Sequence, residues 1–169
     1  MPHIPLYVSD QFKGKSEYGL YGDVIEQLDW GIGKVLEGIQ EMGLDENTFV
    51  ILTSDNGPQK GAAGISGVLL GGKGSRYEGG VRVPAIMRWP GTVPAGVLNK
   101  QPIAVFDLLP TLVTLAGGSV PADRIIDGRD VWPLIADGGK TKTPHEAIFH
   151  AFEGVRVGDW KIYYAKTLV

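Results

Sequence analysis

Asp55 and Asn56 stand where an apolar, β-rich run, Thr-Phe-Val-Ile-Leu-Thr-Ser from Thr48 to Ser54, gives way to Gly57-Pro58. The end of such a strand in an α/β sheet is where ligands gather. A carboxylate and an amide carbonyl are oxygen donors suited to Ca²⁺ or Mg²⁺, although two residues fall short of the about six to eight oxygens that calcium takes. The same residues also suit an ordinary Asx turn. Lys73 lies between Gly71-Gly72 and Gly74-Ser75. Its small neighbours let an anion approach the backbone, and its ammonium is a point charge for a phosphate or sulfate oxygen; the alternative is a solvated loop lysine. His3, between Pro2 and Pro5, has a stiff setting useful to a general acid or hydrogen-bond donor, and a position that also suits a disordered terminus. His145 and His150 have no partner at metal-binding spacing and read as surface or internally satisfied histidines. No G-x-S-x-G elbow, P-loop or H-E-x-x-H is present.

Several elements must position these residues. Residues 1 to 22 are rich in Pro and Gly and read as irregular backbone, an active-site loop or a severed end. From Asp23, the apolar residues Val24, Ile25, Leu28, Ile32, Val35, Leu36, Ile39 and Met42 recur three or four apart, which predicts an amphipathic helix stopped by Gly43. The Thr48 to Ser54 run predicts a strand buried on both faces of a parallel sheet. Residues 57 to 80 form a long glycine-rich loop, and a loop of that length is functional or disordered. Val83 to Trp89 is a second strand candidate, and residues 104 to 116 predict a helix in which Pro110 is tolerated if Asp107 to Leu109 form the first turn. Residues 147 to 152 and 155 to 164 predict an antiparallel hairpin around Glu153-Gly154. The four tryptophans, Trp30, Trp89, Trp132 and Trp160, read as core and hairpin packing.

Composition bounds the function. Sixteen Lys and Arg against 19 Asp and Glu give no basic field for a phosphate backbone, so nucleic acid is not an expected partner. With 43% hydrophobic and 21% charged residues the chain is globular in composition. It has no cysteine, which removes disulfides, thiolate metal sites and a cysteine nucleophile. Met1-Pro-His-Ile-Pro has neither the basic start nor the apolar core of a signal peptide, and no apolar run approaches the roughly 18 residues of a membrane span. Glycine, 25 of 169 residues, is about twice its usual share of roughly 7%.

Five segments taken together resemble the sulfatase family: Pro2-His-Ile-Pro5, Tyr21-Gly-Asp-Val-Ile-Glu-Gln-Leu-Asp29, Thr53-Ser-Asp-Asn-Gly-Pro58, Gly71-Gly-Lys-Gly-Ser-Arg-Tyr-Glu-Gly-Gly-Val-Arg-Val-Pro84 and Val155-Arg-Val-Gly-Asp-Trp-Lys161. They occur in the family's order across nearly the whole chain. The resemblance implies an α/β fold, a partial alkaline-phosphatase-like sheet flanked by helices with a C-terminal antiparallel hairpin. Residues 1–140 would be the later part of the catalytic domain, and 141–169 the start of a small antiparallel subdomain. It further implies a hydrolase of sulfate esters, with Asp55 and Asn56 as calcium ligands, Lys73 binding the sulfate and His3 contacting the bridging oxygen of the departing alcohol.

The departure from the family is large. The C-x-P-S-R or S-x-P-S-R segment that yields the formylglycine nucleophile is absent, as are the family's other two calcium aspartates. The isolated chain is therefore expected to be inactive and to bind calcium poorly. A truncated sheet exposes an edge and an apolar face, so self-association is expected. Two other readings remain at this point: a phosphate or phosphonate ester hydrolase of the same superfamily, and a non-catalytic anion-binding or assembly module.

Overall fold

A computed structural model describes residues 2–59, 67–150 and 154–164. It resolves into two compact units, Met1–Met87 and Arg88–Val169. Residues 60–66 of the glycine-rich loop, and residues 151–153 of the expected hairpin, lie outside the described residues.

In the first unit, helix α1 (Gly19–Glu41) carries the expected apolar stripe and ends where Gly43 takes a positive φ of 67°. It begins four residues before Asp23, after Tyr18 and with no side-chain cap, and Asp23 serves the loop ahead of it. The Asp23 carboxylate, 2% exposed, accepts the backbone N–H groups of Gly14 (2.8 Å), Lys15 (3.0 Å) and Ser16 (2.8 Å). One turn on, Gln27 accepts the N–H of Ser9 (2.9 Å). The irregular segment that carries His3 is thus tied to α1 by two side chains on one helix face.

The N–H groups of Ser16 and Gly14, then Lys15, hold the Asp23 carboxyl below the usual carboxylate range. A depressed folded-state value means that this contribution to stability is present at neutral pH and is lost as pH falls below about 4 and through the folded value. Asp23→Asn is expected to flatten the acid limb of the stability–pH curve. An acid limb unchanged in urea titrations would show that the carboxylate is not the group that titrates.

Strand β1 (Val50–Thr53) pairs with β2 (Ala85–Arg88) in a two-stranded sheet, and the short helix α2 (Glu78–Val81) lies between them in sequence. The expectation that β1 is buried on both faces is not met: Val50 and Ile51 are half-buried and Leu52 is 36% exposed. Burial of a strand's faces comes from the layers laid over them, and the composition of β1 suits a deeper sheet than these two strands make.

In the second unit, a 3-10 turn (Val105–Asp107) leads into α3 (Leu108–Leu115), which ends before Gly117 at φ 75°. Pro110 sits in the first turn of α3, where its missing N–H costs nothing. Helix α4 (Trp132–Ala136) follows, and Val131, Leu134 and Ile135 make the core. The C-terminal element is larger than the expected hairpin. Strands β3 (Ile148–His150), β4 (Gly154–Val157) and β5 (Trp160–Tyr163) form an antiparallel sheet in the order β3-β4-β5. The apolar run 155 to 164 is split by a turn at Gly158 (φ 54°) and Asp159.

The tryptophans do not all pack as expected. Trp89 and Trp132 pack with ring centroids 5.7 Å apart and planes tilted by 53°, but Trp30 is 47% exposed against Phe12 and Trp160 is 80% exposed. Among the described residues, no helix is long and apolar enough to cross a membrane.

Candidate functional site

Three segments of the first unit meet through backbone hydrogen bonds. The N–H of Gly57 donates to the carbonyl of Gly80 (3.0 Å), and the N–H of Lys73 to the carbonyl of Pro58 (2.8 Å). These two bonds latch the Asp55-Asn56 turn to the Lys73 loop. Within the turn, the Ser54 hydroxyl donates to the Asn56 carbonyl (2.9 Å); behind it, the Thr53 hydroxyl donates to the carbonyl of Pro84 (3.0 Å).

Glycine makes this approach possible. A Cβ on Gly57 would lie 1.8 Å from the Gly79 carbonyl oxygen. On Gly80 it would lie 2.3 Å from the carbonyl oxygen of Ser75, and on Gly79 it would lie 2.5 Å from that of Gly71. Each neighbour is backbone, which cannot swing aside as a side chain can. The Gly-rich motif is therefore a packing requirement, and the loop it builds presents Lys73 on the surface.

His3 comes from the chain's start to the same place. Its Nε2 lies 3.3 Å from Lys73 Nζ, and its Nδ1 lies 2.8 Å from the Ile4 carbonyl oxygen. With Nδ1–H donating to that carbonyl, Nε2 is the ring atom that faces the lysine. Both side chains are exposed, as is Asp55, while Asn56 is half-buried. All four residues singled out in the sequence lie in this unit.

The oxygen donors of Asp55 and Asn56 match a hard cation in chemistry, but they are only two of the about six to eight that calcium takes. Among the described residues, no group of three or more His, Cys, Asp or Glu side chains could hold a metal ion.

His145 is the satisfied histidine the sequence suggested: its Nε2 lies 2.7 Å from Asp107 Oδ1, in the second unit. Sequence reasoning did not single out Asp107, which is fully buried and also accepts the N–H groups of Ala104 (2.8 Å) and Arg129 (2.9 Å). Nor did it single out the Asp23 and Gln27 anchors. An acidic residue inside an apolar helical pattern, as Asp23 is, was the available signal.

A family model described as Sulfatase matches residues 1–119. The chain is similar to arylsulfatase D of Homo sapiens, 46% identical over 156 residues, covering 88% of this chain and 26% of that protein. It is 42% identical over 156 residues to steryl-sulfatase of Homo sapiens, covering 88% of this chain and 27% of that protein. The solved PsFucS1 sulfatase from Pseudoalteromonas sp. superposes with a TM-score of 0.85 at 33% identity, covering 95% of this chain and 34% of that one. The chain thus spans about a quarter of the length of these curated relatives.

Proposed function

The chain belongs to the sulfatase family, and from that premise we propose that it carries the anion-binding and leaving-group side of a sulfate-ester hydrolase site. The observation that carries the reading is the 3.3 Å pairing of His3 Nε2 with Lys73 Nζ, on a loop whose backbone is bonded to the Asp55-Asn56 turn. Lys73 supplies a positive charge to a sulfate oxygen, and the glycines beside it keep side chains out of the ligand's way. His3, anchored at Nδ1 by the Ile4 carbonyl, holds Nε2 at the same point. In the whole site, as a nucleophile supplied from outside these residues bonds to sulfur, a protonated Nε2 would give its proton to the bridging oxygen while the S–O bond breaks, so that the departing alcohol leaves neutral.

Asp55 and Asn56 would contribute two oxygen ligands to calcium, which when bound supplies positive charge against the sulfate oxygens. The remaining ligands and the formylglycine segment have no counterpart in these 169 residues. The isolated chain accordingly positions and polarises without a nucleophile, and no turnover of an aryl sulfate is expected from it. Residues 1–140 then belong to the catalytic domain and 141–169 to the antiparallel subdomain. The exposed stripe of Ile25, Leu28, Val35 and Met42 on and just beyond α1 supports self-association of the isolated chain.

The test is titration followed by NMR. Inorganic sulfate is expected to shift the His3 ring resonances, and Lys73→Ala to abolish the shift. His3 resonances indifferent to sulfate, or a shift that survives Lys73→Ala, would remove the anion-binding reading. Calcium is expected to bind more weakly than about 10⁻⁴ M by calorimetry. Micromolar binding lost in Asp55→Ala would show the site to be complete without further ligands.

A further inference from the structure

Six arginines are spread along the chain, and five of them stand in backbone that is already bonded or packed. Arg88 ends β2, and Arg156 lies within β4. The N–H of Arg82 donates to the Glu78 carbonyl (2.8 Å), and that of Arg129 to Asp107 (2.9 Å). Arg76 is half-buried beside the Tyr77 ring.

Arg124 stands apart from these, midway along the stretch that joins α3 to α4. Gly118 closes α3 by donating its N–H to the Val113 carbonyl (2.9 Å). From Ser119 to Gly128 no backbone group is bonded to another backbone group among the described residues. Pro121 to Ile125 are exposed, Ile125 to 96%. Exposed loop tips of this kind are where peptide bonds are nicked. An extended peptide binds a partner through its unspent backbone groups, and the acidic specificity pocket of a trypsin-like protease takes an arginine ahead of the bond to be cut.

Both flanks of the stretch are pinned within the second unit. A Cβ on Gly128 would lie 2.1 Å from the Phe106 carbonyl oxygen, so the chain there runs against the turn that leads into α3. Arg129 N–H is held by Asp107 and Val131 N–H by the buried Thr111 hydroxyl (3.0 Å), while Val131 and Leu134 are each 1% exposed. A break between Gly118 and Gly128 therefore leaves each new end tied to α3.

Asp123 governs the pace. Its carboxylate accepts Nε (3.0 Å) and Nη2 (2.9 Å) of Arg124, so the guanidinium that a protease must take is already engaged. The two side chains are 68% and 69% exposed, and an ion pair this open to water yields readily.

We propose that the Arg124–Ile125 bond is a processing site for an arginine-directed endoprotease, whose single cut converts the chain into two fragments that stay assembled. The protease's nucleophile takes the Arg124 acyl group as the amide bond breaks, and the Ile125 nitrogen leaves as an amine. Water then releases Arg124 as a carboxylate. The inference rests on backbone bonding and exposure in the second unit, and it stands whether or not the sulfate site is as read above.

The test is brief digestion of the folded chain with an arginine-specific endoprotease. Mass spectrometry is expected to find fragments 1–124 and 125–169, which elute together in gel filtration until urea is added. Arg124→Gln is expected to abolish the cut. Arg124→Lys is expected to resist that enzyme yet be cut by trypsin at the same bond, which separates recognition of the side chain from any change in the loop. Asp123→Ala is expected to speed cleavage by up to about fivefold. A first cut at another arginine, equal cutting at all six as from an unfolded chain, a cut that survives Arg124→Gln, or fragments that separate without urea would each overturn the proposal.

Discussion

Gly57→Ala is expected to part the two loops that build the candidate site. The added Cβ would meet the Gly79 carbonyl oxygen at 1.8 Å and its carbonyl carbon at 2.8 Å, both backbone atoms. Relief requires moving the Asp55-Asn56 turn away from the Gly79-Gly80 backbone. That movement breaks the bond from Gly57 N–H to the Gly80 carbonyl, and with it the bond from Lys73 N–H to the Pro58 carbonyl. Overpacking of this kind costs about 1–3 kcal/mol, and the two lost hydrogen bonds add about 1 kcal/mol each, so a loss of about 3 kcal/mol or more is expected in urea unfolding.

Gly74→Ala is the control from the same loop. Its φ is 79° and no atom would lie within 4 Å of the new Cβ, leaving only the left-handed backbone strain of about 1–2 kcal/mol. Faster amide exchange at Gly57 and Lys73 in the first variant, and unchanged exchange at Gly57 in the second, would locate the effect at the latch. Equal losses in the two variants would mean that backbone freedom, and not close approach, is what these glycines provide.

How far the sequence reaches depends on the range of the interaction. Helix α1 was legible because its apolar stripe is a local period, and its stop because Gly43 tolerates positive φ. Its start was not, because no capping side chain marks it, and Asp23 works instead by accepting N–H groups seven to nine residues upstream. The apolar run of β1 identified a strand correctly but not its burial, which depends on covering layers that local composition does not record. The C-terminal run from Val155 reads as one strand because apolar composition outweighs Gly158, whose φ of 54° makes the turn between β4 and β5.

The four site residues show the same division. Lys73 and the Asp55-Asn56 pair each carried a local chemical signal. That His3 stands 3.3 Å from a lysine 70 residues away could not follow from spacing. The family resemblance implies one mechanism for them, and the structure supplies the reason for the glycines among them, since the approach of Gly57 to Gly79 leaves no room for a Cβ.

Asp107 is expected to be the residue of the second unit least tolerant of truncation. Its side chain is fully buried. Oδ2 accepts the N–H of Ala104, and Oδ1 accepts the N–H of Arg129 and faces His145 Nε2 at 2.7 Å. One carboxyl group thereby joins the start of α3, the segment ahead of α4 and the loop that leads into β3. Beside it the fully buried Thr111 hydroxyl accepts the N–H of Val131 (3.0 Å), so the same junction is held twice. Asp107→Ala leaves two backbone donors and an imidazole without an acceptor, and each buried orphan costs about 1–3 kcal/mol. The expected loss is about 3–5 kcal/mol, a large part of the roughly 5–15 kcal/mol that stabilises an ordinary domain.

His145→Gln tests the same junction if the alanine variant does not fold. It removes only the imidazole while both backbone donors keep their oxygens, so a loss of about 1–2 kcal/mol is expected. Chemical unfolding read separately in the two units should show both losses in residues 88–169. Asp107→Ala unfolding at the wild-type midpoint would mean that the three segments are held together by the apolar core of Val131, Leu134 and Ile135, with the hydrogen bonds merely satisfied inside it.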